Sequence, residues 1–187
     1  TKDLNIAVVG KYFDTGDFIL SDAYLSVIEA VKFSAYSEDA RAKLTWINSK
    51  EFETGKHPIE MLKNFDGIIV PGGFGSSGIE GVISTIQYAR VNKIPFLGLC
   101  YGMQLAVVEF ARNVVGWKGA NTTEIDQKTA YPVIDIMPEQ KKNLEDKNYG
   151  ATMRLGSYPA SIKKNTVAFN DYKDHLILTD YWNLLSR

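Results

Sequence analysis

The sequence predicts an α/β fold, a mostly parallel sheet with helices on both faces, and three observations carry that expectation. Short apolar runs rich in β-branched residues alternate with stretches whose apolar residues recur on one helical face. Glycine-rich turns stand where a strand-like run hands over to a helical pattern, at 71–78 and at 98–102. The composition, 45% hydrophobic and 23% charged over 187 residues, is that of a globular domain able to bury its own core. In sheets of this kind ligands sit beyond the carboxyl ends of the strands, so both glycine-rich turns are expected at one crevice.

Each element has its own reason. Residues 4–9 (LNIAVV) form a short, apolar, β-branched run that Gly10 punctuates, which predicts a buried strand. Ser21 can cap a helix whose Tyr24, Val27, Ile28, Val31 and Ala35 share a 3.6-residue face. Residues 44–47 make a short strand and 60–65 a helical turn, followed by a clearer strand at 67–70 (GIIV). A helix then starts after Gly78, with Ile79, Val82, Ile83 and Ile86 on one side. A strand is expected at 95–99 and an apolar-rich helix at 103–114. Beyond Gly116 the pattern changes to short strands at 131–137 and 151–155, divided by a polar stretch at 141–148 (KKNLEDKN) that reads as an exposed loop. The chain has no internal repeat and no low-complexity segment.

Charge and cysteine content narrow the function classes. A formal net charge of −1 and a pI near 6.1 offer no basic field for nucleic acid or an anionic membrane. A single cysteine makes neither an internal disulfide nor a cysteine-rich zinc site, which suits a reducing, cytoplasmic setting. No apolar run approaches the roughly 20 residues of a membrane span, and no signal peptide opens the chain. The first residues, Thr1-Lys2-Asp3-Leu4, lack an initiator Met and lead straight into a strand, so a piece of a longer protein is expected.

Two motifs point to chemistry. Gly98-Leu99-Cys100-Tyr101-Gly102 has the form G-x-C-x-G between a strand and a helix, the thiol counterpart of a nucleophile elbow. Flanking glycines allow a turn too tight for larger side chains, and the following helix end favours an anionic sulfur. The competing reading is a small buried hydrophobe, to which a helix interior or a plain strand around Cys100 would return the residue. The run Pro71-Gly72-Gly73-Phe74-Gly75-Ser76-Ser77-Gly78 matches G-x-G-x-x-G literally, but a dinucleotide site needs an acidic residue about 20 positions on. Leu99 and Cys100 occupy that place, so the loop reads better as bare amides for an oxyanion, or as a plain turn. A cysteine nucleophile also wants a histidine base, and the chain has only His57, in a polar stretch before a proline, and His175. His57 reads as a surface residue, and no carboxylate follows His175 at a suggestive spacing. No G-x-x-x-x-G-K-[ST] loop occurs, which excludes ATP binding in that manner.

The segments PGGFGSSGIEG, ARVNKIPFLGLCYGMQLAVVEFARNVVGWKGANTTE, PVIDIMPEQ and ATMRLG, together with the opening IAVVGKY and SDAYLSVIEAVKFSA, resemble the glutaminase domain of the CTP synthase family. That domain is a class I glutamine amidotransferase with a flavodoxin-like fold, and the resemblance runs from about residue 4 to 156. It implies glutamine hydrolysis at the elbow cysteine, with ammonia passed to a separate synthetase domain where ATP-activated UTP is aminated to CTP. By motif position it implies Cys100 as nucleophile and Gly73 and the amide of Tyr101 as oxyanion hole. Gln104 and Glu124 would grip the amino-acid end, with Gly72, Phe74, Gly102 and Met103 lining the glutamine site. It implies no cofactor or metal in this domain, ATP and Mg belonging to the synthetase domain, which is the expected partner together with L-glutamine.

The departures are as informative. Tyr101 stands where the family usually has Leu, Ser77 where Arg is common and Ala151 where Gly is usual. Beyond about Lys173 neither the family's Arg/His-rich segment nor its His-Pro-Glu motif, source of the base and its carboxylate, occurs. The fold is therefore expected to be atypical or truncated at its C-terminal end, with 1–173 an incomplete glutaminase domain and 174–187 a tail without family counterpart. Two readings stand side by side: a glutaminase lobe weakly active or inactive in isolation, or a pseudo-amidotransferase lobe kept for docking or regulation.

Overall fold

The computed structural model describes residues 2–11, 24–73, 76–136, 157–172 and 176–180. They fall into two compact units, Thr1–Ile134 and Asp135–Arg187.

In the first unit four strands form one parallel sheet in the order β2-β1-β3-β4: β1 (Lys2–Gly10), β2 (Ala40–Asn48), β3 (Gly67–Val70) and β4 (Phe96–Gly98). Parallel neighbours need a crossover, and the chain supplies α1 (Leu25–Ser37) between β1 and β2 and α3 (Ile79–Asn92) between β3 and β4. Between β2 and β3 lie a single turn, α2 (Lys50–Glu53), and a 3₁₀ helix at Ile59–Asn64. α4 (Tyr101–Asn113) follows β4 and leads to the short parallel pair β5 (Asn121–Thr122) and β6 (Pro132–Ile134). The strand order reverses direction between β1 and β3, the switch point beyond whose carboxyl ends such sheets bind ligands.

Strand alternation sorts the core to both faces. Ala7 and Val9 point to the side where α3 buries Ile79, Val82, Ile83 and Ile86 and α4 buries Leu105 and Val108. Val8 points the other way and packs with Tyr24, Leu44 and Trp46, beside α1. The two sheet edges differ in chemistry. On β2, exposed Arg41, Lys43 and Thr45 alternate with half-buried Ala42, Leu44 and Trp46, and Asp3 on β1 accepts from Arg41 at 3.1 Å and pairs with Lys43 at 2.6 Å. The Lys43 hydrogen bond holds the Asp3 carboxyl below its ordinary pKa. On β4, by contrast, Leu97 is 52% exposed.

The second unit pairs β7 (Ser157–Ser161) antiparallel with β8 (Leu176–Asp180), joining Ser157 to Asp180 and Ser161 to Leu176. α5 (Val167–Tyr172) lies between them in the chain; the Thr166 hydroxyl accepts the Phe169 N–H at 3.2 Å and so caps it.

Most expected elements appear, with shifted bounds. The strand expected at 44–47 spans Ala40–Asn48, because charged residues on its outer positions masked a nine-residue pairing with β1. The helix expected at 103–114 starts at Tyr101, and the strand at 131–137 is confined to Pro132–Ile134, Met137 being outside the described residues. α2, β5, β7, α5 and β8 were not expected. Ser21, the polar stretch 141–148 and the strand 151–155 lie outside the described residues.

Candidate active site

The site grows from the turn between β4 and α4. Cys100 occupies the N-cap position of α4 at φ 51° and ψ −107°, in the left-handed half of backbone space that disfavours a non-glycine residue. Such a residue costs about 1–3 kcal/mol and persists only where its surroundings dictate it. Here the surroundings are three backbones in direct contact. A Cβ on Gly102 would stand 2.2 Å from the Val70 carbonyl oxygen, and one on Gly98 would stand 2.7 Å from the Gly102 carbonyl carbon. Short backbone hydrogen bonds close the turn: Leu99 donates to Val70 at 2.9 Å, Gly102 to Leu99 at 3.0 Å and Gln104 to Cys100 at 3.1 Å. The strand–cysteine–helix order read from the glycine spacing is the order found.

The glycine-rich loop after β3 reaches the same place. A Cβ on Gly72 would sit 3.6 Å from Cys100 Cβ and 4.0 Å from its Sγ, so a bare backbone faces the thiol. The loop is held from α1's side by the buried Tyr24, whose hydroxyl donates to the Gly72 carbonyl at 3.3 Å. Tyr24 was expected only as a core-facing residue; that a buried tyrosine hydroxyl needs a partner was the available signal. Gly73 is half-buried next to Gly72, whereas Phe74 and Gly75 lie outside the described residues. Gly78 ends the loop in the left-handed conformation, φ 73°, and begins α3.

On the helix side Tyr101, Gly102 and Gln104 are buried and Met103 is half-buried. Glu124 is half-buried in the turn after β5, where its N–H donates to the Thr122 hydroxyl at 3.1 Å. A residue the sequence reading passed over joins these parts. Lys11, the residue after β1, places Nζ 5.0 Å from the centre of the Tyr101 ring, a cation–π distance. Burial pushes the Lys11 amine below the ordinary lysine pKa, while the charges of Glu124 and Glu53 act in the opposite sense. Its position at the carboxyl end of the first strand was the signal that could have found it.

Of the two histidines, only His57 lies among the described residues. His57 donates its N–H to the Glu51 carbonyl at 3.2 Å and sets Nε2 3.5 Å from the Glu51 carboxylate. His175 lies outside the described residues. Among the described residues, no helix is long and apolar enough to cross a membrane.

A half-buried thiol at a glycine-hinged strand–helix turn, faced by a bare loop at the switch point of a parallel sheet, is the arrangement that a protein with a cysteine nucleophile would need. Comparison with known proteins agrees: the model of the family "Glutamine amidotransferase class-I" matches residues 19–180. The chain belongs to the class-I glutamine amidotransferase family. Within it, the chain is 52% identical over 177 residues to a CTP synthase of Pyrococcus furiosus, covering 95% of this chain and 31% of the relative. It is 53% identical over 174 residues to a CTP synthase of Caldanaerobacter subterraneus, covering 93% and 31% respectively. The chain thus spans about a third of the length of these relatives. Among solved structures it is similar to the glutaminase domain of Trypanosoma brucei CTPS with bound acivicin, at a TM-score of 0.81 and 32% identity, covering 95% of this chain and 65% of that one.

Proposed function

We propose that this chain is the glutamine-hydrolysing part of a CTP-forming enzyme. The observation that carries the reading is Cys100 itself, held at φ 51° at the start of α4 with Gly72 facing its sulfur. The thiolate adds to the carboxamide carbon of L-glutamine, and the oxygen takes up the negative charge. Gly73 and the amide of Tyr101, the first residue of α4, stabilise that oxygen. Collapse, with the proton that the thiol gave up returned to the nitrogen through water, expels ammonia and leaves a thioester, which water opens to glutamate and free thiol. Glu124 suits the substrate's ammonium group, and Gln104, Gly72, Phe74, Gly102 and Met103 complete the site.

The ammonia passes to a synthetase domain of the same parent chain, where ATP and Mg activate UTP; this domain itself uses no cofactor. The lengths of the relatives support that arrangement, since about two thirds of each lies beyond what this chain matches. The 187 residues carry no His-Pro-Glu motif. Loss of the base in triad enzymes costs several orders of magnitude, so the polypeptide alone turns glutamine over slowly or not at all. The setting is the cytoplasm.

The test is covalent capture. The glutamine-analogue diazoketone 6-diazo-5-oxo-L-norleucine adds one equivalent at Cys100, L-glutamine protects against it, and Cys100→Ser abolishes it, all read by intact-mass spectrometry. A wild-type chain that takes up no adduct would be a non-enzymatic lobe, and the proposal would fall.

A further inference from the structure

We propose that Arg112 is a positioning residue for the amino-acid end of the substrate, acting at a distance through Glu124; this rests on the glutaminase reading above. Arg112 lies in the last turn of α4, twelve residues beyond Cys100. At 1.5 Å per residue that is about 18 Å along the helix, too far to touch anything bound at the thiol. Its guanidinium nevertheless fastens three elements that meet at the site. Nε donates to the carbonyl of Ala120 at 2.6 Å. Nη1 donates to both carboxylate oxygens of Glu80, at 2.9 and 3.1 Å. Glu80 is in the first turn of α3, two residues past the Gly78 that ends the glycine-rich loop.

Ala120 is fully buried, and from there to Glu124 the chain has little slack. The Ala120 N–H donates to Trp117 at 2.9 Å, and the Thr122 N–H donates to the Asn121 side-chain oxygen at 3.0 Å. The Thr122 hydroxyl accepts from Glu124, and the Thr122 carbonyl accepts from Ile125 and Asp126, both at 3.0 Å. Fixing the Ala120 carbonyl therefore fixes where the Glu124 carboxylate starts. A planar guanidinium can serve a carbonyl and a carboxylate in set directions at once, which an ammonium cannot. The last turn of a helix is also where a cation is favoured. Arg112 thus links the helix that begins at the nucleophile to the turn that carries the ammonium-binding carboxylate.

The experiment compares two alkylating agents on the intact chain. Labelling by 6-diazo-5-oxo-L-norleucine, followed against concentration, gives a half-saturating concentration and a limiting rate; iodoacetamide, which has no amino-acid end, reports the thiol alone. Arg112→Ala is expected to raise the diazoketone half-saturation about tenfold, with the limiting rate within about threefold and iodoacetamide reactivity unchanged. Glu124→Gln should do the same, and the double variant should be no worse than either single one within about twofold, because both changes remove one interaction. Arg112→Lys should fall between wild type and Arg112→Ala, and it takes over the cycle if thermal unfolding shows that the alanine variant does not fold. Effects that multiply in the double variant, an Arg112→Ala chain that labels like wild type, or a parallel fall in iodoacetamide reactivity would each overturn the inference. If wild type is not labelled, or Glu124→Gln has no effect, the glutamine reading or its Glu124 assignment fails first. If Glu124→Gln alone weakens capture, only the role of Arg112 is lost.

Discussion

Lys11 shows how one residue can report on its neighbours. Its amine is half-buried above Tyr101, and burial lowers its pKa while Glu124 and then Glu53 work against that. Between the lowered folded value and the ordinary unfolded one, the unfolded chain binds the extra proton, so stability rises with pH across that window. Lys11→Met is expected to remove that rise, measured by urea unfolding at a series of alkaline pH values. Glu124→Gln removes a charge that favours the protonated amine, so the Lys11 midpoint should fall further, read by side-chain NMR titration. A midpoint that does not move would mean that Glu124 lies too far from the amine to matter. The placement of Cys100, Gly72 and Gly102 at one turn was legible because glycine spacing is a backbone statement. Lys11 and Tyr24 were not, because a lysine after a strand and a tyrosine on a helix face carry no local mark of what they reach across the sheet.

Between elements, the contact of α3 with α4 contains the one carboxylate the core has taken in among the described residues. Glu109 is 1% exposed and accepts from Arg90 through Nε and Nη2, at 2.7 to 3.2 Å, and from Asn113 at 3.1 Å. Removing one partner of such a pair strands the other charge. Arg90→Ala is therefore expected to destabilise the fold by about 3 kcal/mol, the low end for a broken buried pair, since Arg90 keeps partial access to water. Replacing both residues, Arg90→Met with Glu109→Leu, should recover most of that loss in urea unfolding. A single variant as stable as wild type would show that water reaches Glu109. The helices themselves were readable from apolar periodicity: Ile79, Val82, Ile83 and Ile86 are all buried where α3 meets the sheet. The charged pair inside their contact was not readable, because Arg90 and Glu109 are nineteen residues apart and meet only after both helices have packed.

At the scale of the whole molecule, the buried core of the described residues lies in one part of the chain. Every residue of the main apolar cluster, and every described residue assigned to the site, lies between Thr1 and Ile134. A fragment ending at Ile134 is therefore expected to unfold cooperatively and to keep an iodoacetamide-reactive Cys100, checked by circular dichroism in urea and by mass. A fragment without a cooperative transition would show that the second unit is needed for the first to fold. The parallel sheet was legible because its strands are short apolar runs between helical patterns. β7 and β8 were not, because SYPAS and LILTD carry neither a period nor a turn signal that separates them from a tail. The two margins of the sheet carry a last consequence. Along β2, Arg41 and Lys43 refuse a further strand, whereas β4 offers Phe96, Leu97 and Gly98 without a single charge. If the sheet of described strands ever grows by another ribbon of chain, the uncharged margin is the one that favours it, outward from the strand that leads into Cys100.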